Sequence, residues 1–130
     1  MRRFEEAITA HRDAAAIYRE TGDRHDEGWA LGNLGNALRR VGRFEEAITA
    51  HQDATVIFRE TGDRHREGLA MINLGIALQQ VRRFDEAITA CEEAAAIFRE
   101  TEDQHNEQIA LSNLEDARAE PGRHAGANRG

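Results

Sequence analysis

The fold is decided by residues 28–48, which read GWALGNLGNALRRVGRFEEAI. In the first half, apolar side chains recur at the spacing of one helix face, at Ala30, Leu31, Leu34, Ala37, Leu38 and Val41. Gly42 supplies a helix stop, and Phe44 begins a second pattern of the same kind. Helices joined by so short a turn run antiparallel, so this stretch predicts a helical hairpin.

The hairpin pattern is repeated along the chain. Residues 3–42, 43–82 and 83–122 align without a gap at a period of 40, with 28 identical positions of 40 between the first two blocks and 20 of 40 between the last two. A single helix pair cannot bury its apolar face alone, so the repeat indicates stacked units that share one core. We therefore expect an all-α solenoid of about six helices over residues 1–120. Residues 121–130 are small and polar, and we expect them to form a disordered tail.

Composition argues against several functional classes. The formal net charge is −7, and all 17 basic residues are arginines that are dispersed along the chain. Nucleic-acid affinity depends on clustered cations, so we expect no DNA or RNA partner. No apolar run approaches the roughly 18 residues that a membrane span requires, and none resembles a signal peptide. With Cys91 as the lone cysteine, we expect a cytoplasmic protein without a membrane partner.

Six histidines invite a metal or catalytic interpretation, but their spacing argues against it. His25, His65 and His105 occur once per repeat, and neighbouring helices lie roughly 8–10 Å apart, whereas zinc ligand atoms lie within about 2.0–2.3 Å of the ion. We expect these histidines to face solvent. Carboxylate pairs such as Glu5 and Glu6 lie in solvated runs, where nothing shields one member from water, as a catalytic acid would require. The sequence therefore predicts no enzyme activity, no metal and no cofactor.

The stretch quoted above resembles a tetratricopeptide repeat. The Asn-Leu-Gly motif of that family falls on Asn33, Leu34 and Gly35, and its later small residues fall on Ala47 and Ala54. The 40-residue period is similar to that of the long-repeat subset of the family, and the resemblance covers about residues 3–120. It implies a right-handed α-solenoid of antiparallel pairs, each with a first (A) and a second (B) helix. The order in this chain is B-A-B-A-B-A.

One departure from the family concerns the B helices. A large aromatic residue of the family is replaced here by His11, His51 and Cys91. We expect these three side chains to pack between helices rather than to form a nucleophilic pair, because Cys91 has no acid or base in its own turn.

A second apolar stripe marks the A helices. In the middle A helix, Leu69, Ile72 and Ile76 lie roughly 100° from the core stripe. By resemblance, this face lines the concave groove in which tetratricopeptide arrays hold a peptide or protein partner. The open alternative is that the stripe packs against the adjacent repeat. The expected partner-binding residues are Trp29, Asn33, Asn36, Arg40, Leu69, Ile72, Asn73, Ile76, Ile109 and Asn113.

The repeated asparagines leave two interpretations open. The amides of Asn33, Asn73 and Asn113 can donate to and accept from an extended peptide backbone, or they can bond to a neighbouring repeat. A carboxylate clamp of the kind found in chaperone-binding members is not expected. Gly32, Ile109 and Asn113 stand where its cations would be.

The terminal helices suggest self-association as an alternative function. The first B helix has no A helix before it and the last A helix has no B helix after it, so two copies could join head to tail as a homo-oligomer. Glu115 and Arg118 replace the Gly and Leu of the earlier repeats, and Pro121 follows, as in a partly capped end.

Overall fold

The computed structural model describes residues 2–120, which fold into six α-helices and contain no strand. They are α1 (Arg2–Thr21), α2 (Arg24–Arg40), α3 (Phe44–Thr61), α4 (Arg64–Gln80), α5 (Phe84–Glu100) and α6 (Gln104–Arg118). The predicted all-α helical repeat is confirmed: α1, α3 and α5 are the B helices, and α2, α4 and α6 are the A helices. The tail predicted for residues 121–130 lies outside the described residues.

Each helix packs mainly on the helices before and after it in the chain. Over residues 2–120 the A helices also contact one another, α4 with both α2 and α6, whereas no pair of B helices makes a contact of similar extent. The A helices therefore form the inner, more crowded layer of the stack. The B helices form the outer layer.

Glycines in the A helices set the distance to the following B helix. A Cβ atom at Gly28 would lie 2.9 Å from the ring of Phe58, and one at Gly68 would lie 2.6 Å from the ring of Phe98. Side chains at these positions would clash, because real Cβ atoms do not approach other atoms this closely. The glycines thus allow large aromatic rings to close the core of each hairpin.

A ladder of ion pairs joins the helices near the beginnings of the A helices. Glu27 is buried and accepts from Arg19 Nε at 3.2 Å and from Arg24 Nη1 at 2.9 Å. Arg24 also donates to Glu60 at 2.6 Å, and thereby reaches the next B helix. The second repeat has the same arrangement with Glu67, Arg59, Arg64 and Glu100. A buried glutamate with two guanidinium partners is far more favourable than an unpaired one.

The histidines at the A-helix starts join the same ladder. His25 Nε2 lies 2.8 Å from Asp63 Oδ2, and His65 Nδ1 lies 3.6 Å from Asp103 Oδ2. Both side chains remain about half exposed, as expected for solvent-facing residues. The structure adds a contact between successive repeats that the sequence did not indicate.

Two further observations concern the described part of the chain. None of its helices is both long and apolar enough to cross a membrane, and none of its His, Cys, Asp and Glu side chains form a group of three or more that could hold a metal ion.

The thiol of Cys91 is buried and unpaired. Burial raises its pKa to about 11, so the thiol stays protonated and unreactive near neutral pH.

Candidate partner-binding groove

The inner face of the stack contains a cavity of about 200 Å³ between α2 and α4, with α3 beneath it. Five of the ten predicted partner-binding residues line this cavity: Trp29, Asn33, Asn36, Leu69 and Asn73. The first cavity therefore brings together two residues of the apolar stripe, Trp29 and Leu69, and three of the predicted asparagines.

The indole of Trp29 forms one wall of this cavity. Trp29 is 43% exposed, and the guanidinium carbon of Arg66 lies 4.2 Å from the centroid of its ring. This distance is well within the range of a cation–π interaction. Arg66 was not predicted, because its position holds Asp26 in the first repeat and Asn106 in the third. Comparison of the repeats alone gives no signal for it.

The asparagine amides of the cavity are half-buried and unpaired. Within residues 2–120, the side chains of Asn33, Asn36 and Asn73 form no hydrogen bond. The inter-repeat hydrogen bond considered for Asn33 and Asn73 is therefore not present. Their donors and acceptors remain available to a ligand in the cavity.

The prediction that Ile72 faces the groove is wrong. Ile72 is only 5% exposed and belongs to the core cluster that includes Met71, Ala95 and Ala110. As the middle A helix, α4 has another A helix on each side, so a wider arc of its surface is buried than in α2 or α6. For Ile72, the alternative of packing against the adjacent repeat is correct. Leu69 is half-buried and packs against the same cluster.

A second inner cavity, of about 580 Å³, lies between the end of α4 and α6. It is lined by Ile76 and Asn113 of the predicted set, and by Gln79, Gln80, Arg82, Phe84, Asp116 and Glu120. The remaining predicted residues lie outside both cavities: Ile109 is 39% exposed on α6, and the guanidinium of Arg40 lies 5.8 Å from the ring centroid of Phe4. The groove thus has two separate recesses.

A family model for the tetratricopeptide repeat matches residues 1–60 and 62–129. The chain belongs to the tetratricopeptide repeat family. No curated protein sequence is significantly similar to it. Among solved structures it is similar to a Signal Transduction ATPase with Numerous Domains that carries a tetratricopeptide repeat sensor, from Pyrococcus horikoshii. The match has a TM-score of 0.77 at 22% identity, and covers 88% of this chain and 18% of that one, so it supports the fold.

In this tetratricopeptide array, His51 occupies a position where the family has a large aromatic residue. Its ring is fully buried beneath the first cavity, and neither ring nitrogen has a hydrogen-bond partner in the described part of the chain. Burial, together with the positive charge of Arg39, lowers the pKa of His51 to about 4. The imidazole is therefore uncharged near neutral pH, and it forms part of the floor of the first cavity.

The last A helix differs from the others where a following B helix would pack. Gln108 and Glu115 stand at the positions of the packing glycines Gly28 and Gly35. Because a Cβ atom at either glycine would clash with α3, a B helix cannot pack on α6 as α3 packs on α2 without displacement. This feature disfavours the head-to-tail homo-oligomer considered from the sequence.

Proposed function

We propose that this chain is a protein–protein interaction module that holds an extended peptide, or an extended segment of a partner protein, against α2, α4 and α6. The observation that carries the proposal is the first cavity, where three unpaired amides surround an exposed indole. An extended peptide presents free N–H and C=O groups on both sides, which asparagine amides can pair. Trp29 and Leu69 would cover its apolar side chains.

The family supports the same function, because tetratricopeptide repeats generally mediate protein–protein interaction. The Pyrococcus horikoshii protein carries its repeats as a sensor within a much longer chain. By analogy, we infer that this array serves as the recognition part of a larger cytoplasmic regulator. Catalysis is not part of the proposal.

Selection of peptides from a random display library on the full chain tests this function. We expect selected peptides to change the emission of Trp29, the only tryptophan, in a saturable titration. The double variant Asn33→Ala/Asn73→Ala should bind them about tenfold more weakly, because two amide contacts to the peptide backbone are lost.

Gln52→Ala provides a matched control, because Gln52 is an exposed amide on the outer helix α3. This variant should bind the selected peptides as the parent does. Failure to select any peptide, or equal affinity of the parent and the double asparagine variant, would refute the proposal.

A further inference from the structure

One rim of the groove is formed by the last turns of the A helices and the turn residues that follow them. We call this the C-terminal rim. Its charged residues include Arg39 and Arg40 in the first repeat, Arg82 in the second, and Asp116 and Glu120 in the third. Arg43, Arg83 and Arg118 also lie on it, and each pairs with a glutamate of a B helix. Arg40, Gln80 and Glu120 occupy the same position of the 40-residue repeat. The charge on this rim therefore changes from positive to negative along the array, although most other positions are similar between repeats.

Five charges of the C-terminal rim, those of Arg39, Arg40, Arg82, Asp116 and Glu120, differ from the others in their pairing. In the part of the chain that the structure describes, none of these five residues forms an ion pair. Arg40 and Arg82 only lie over the rings of Phe4 and Phe84, at 5.8 Å and 5.3 Å. At the opposite ends of the A helices, by contrast, Arg24 and Arg64 each pair with two carboxylates. These five charges are thus left free to interact with a charged partner.

Arg82 adds an independent observation. Its φ of 67° lies in the left-handed region, where the first repeat has Gly42 with a φ of 82°. The same left-handed conformation follows the B helices at Gly22, Gly62 and Glu102, so it is the common way in which helices end in this chain. Arg82 also lines the second inner cavity together with Asp116 and Glu120.

We propose, as a refinement of the function proposed above, that the groove selects an extended peptide with opposite charges at its two ends. The acidic end lies over Arg39 and Arg40, and the basic end lies at Asp116 and Glu120. Two steps between A helices span about 16–20 Å, and an extended chain advances about 3.3 Å per residue. The acidic and basic residues of the peptide are therefore separated by about five or six residues. A peptide in the reverse orientation would meet like charges at both ends and be rejected.

Peptide selection on the full chain and on a charge-reversed rim tests this inference. The quadruple variant Arg39→Glu/Arg40→Glu/Asp116→Arg/Glu120→Arg keeps the net charge and reverses both charges at each end of the C-terminal rim. The parent should enrich peptides with acidic and basic residues in one order at the stated separation, and the variant should enrich the opposite order. A peptide selected on the parent should bind the variant about tenfold more weakly, and the difference should shrink at high salt.

Exchange of an exposed ion pair on the outer layer provides the control. Arg2→Glu/Glu6→Arg reverses two charges on α1 and should leave the selected peptides unchanged. If the rim variant fails to fold, as judged by circular dichroism, the neutral variant Arg39→Gln/Arg40→Gln/Asp116→Asn/Glu120→Gln should abolish the charge pattern instead. Selected peptides without a charge pattern, or with the same order in both proteins, would overturn this inference and leave the proposed function intact. No selected peptides at all would overturn both.

Discussion

The imidazole of His51 lies directly against the backbone of Gly35, so that a Cβ atom at position 35 would be 2.6 Å from both Cε1 and Nε2 of the ring. In the next repeat, Gly75 and Cys91 form the equivalent pair, with a corresponding distance of 2.9 Å to the sulfur. The A helices α2 and α4 thus each have a glycine where the following B helix places a buried side chain. The pairing fixes the register between successive repeats.

This contact predicts that Gly35→Ala destabilises the protein. The His51 ring is fully buried and cannot move aside freely, so we expect the free energy of unfolding to fall by about 1–3 kcal/mol. Urea denaturation measures the change. Gly32→Ala is the control, because a Cβ atom there meets nothing within 4 Å and should raise stability by about 0.5–1 kcal/mol. Equal stability of the two variants would contradict this account.

The same residue predicts a pH dependence of stability. The pKa of His51 is about 4 in the folded protein and about 6.5 in an unfolded chain. Between these values the unfolded chain binds more protons, so stability should fall as the pH decreases from about 6.5 to 4, by up to about 3 kcal/mol. His51→Cys copies the residue of the third repeat and should remove this part of the dependence. The free energy of unfolding, measured as a function of pH, should differ in slope between parent and variant mainly from about pH 4 to 6.5. Equal slopes in this range would show that the pKa of His51 is not lowered on folding.

The burial of Ile72 predicts that two isoleucine variants differ in how much they change the free energy of unfolding. Ile72→Glu places an unpaired carboxylate in the core and should lower the free energy of unfolding by about 3 kcal/mol or more. Ile109→Glu changes a residue that is 39% exposed, and should alter stability by less than about 1 kcal/mol. Thermal melting of both variants distinguishes the positions. If Ile72→Glu melts like the parent, Ile72 belongs to the groove after all.

The structure of α6 predicts that self-association can be introduced by mutation. Gln108→Gly and Glu115→Gly restore the packing glycines, and Arg118→Leu restores an apolar residue, so that α1 of a second copy could pack there. We expect the mass of this triple variant from light scattering to rise with concentration. The parent should show no such rise through this contact. Adding Phe4→Glu in α1 should abolish the rise in mass. If the mass of the triple variant does not change with concentration, Gln108, Glu115 and Arg118 are not what prevents a second copy from packing on α6.

The sequence predicted the helices and their order well, because a 40-residue period constrains every hairpin to the same length and packing. It failed where a residue depends on elements outside its own helix. The position of Ile72 around the axis of α4 predicted that it lies on the open face. That position carries no information about the neighbouring A helices, which bury Ile72 in the folded protein. The contact of Arg66 with Trp29 joins two repeats, and Arg66 itself is not repeated.

The ion-pair ladder also has a mechanical consequence. Arg24 and Arg64 tie each buried glutamate to the next outer helix at the edge where the A helices begin. At the edge where they end, Arg43 pairs with Glu5 and Arg83 pairs with Glu45. We therefore expect the first two repeats to bend little relative to each other. In the third repeat Gln104 replaces the bridging arginine, and Glu107 keeps a single partner, Arg99. We therefore expect α6 to be the most compliant of the A helices, so that the groove adjusts its width chiefly at its acidic end.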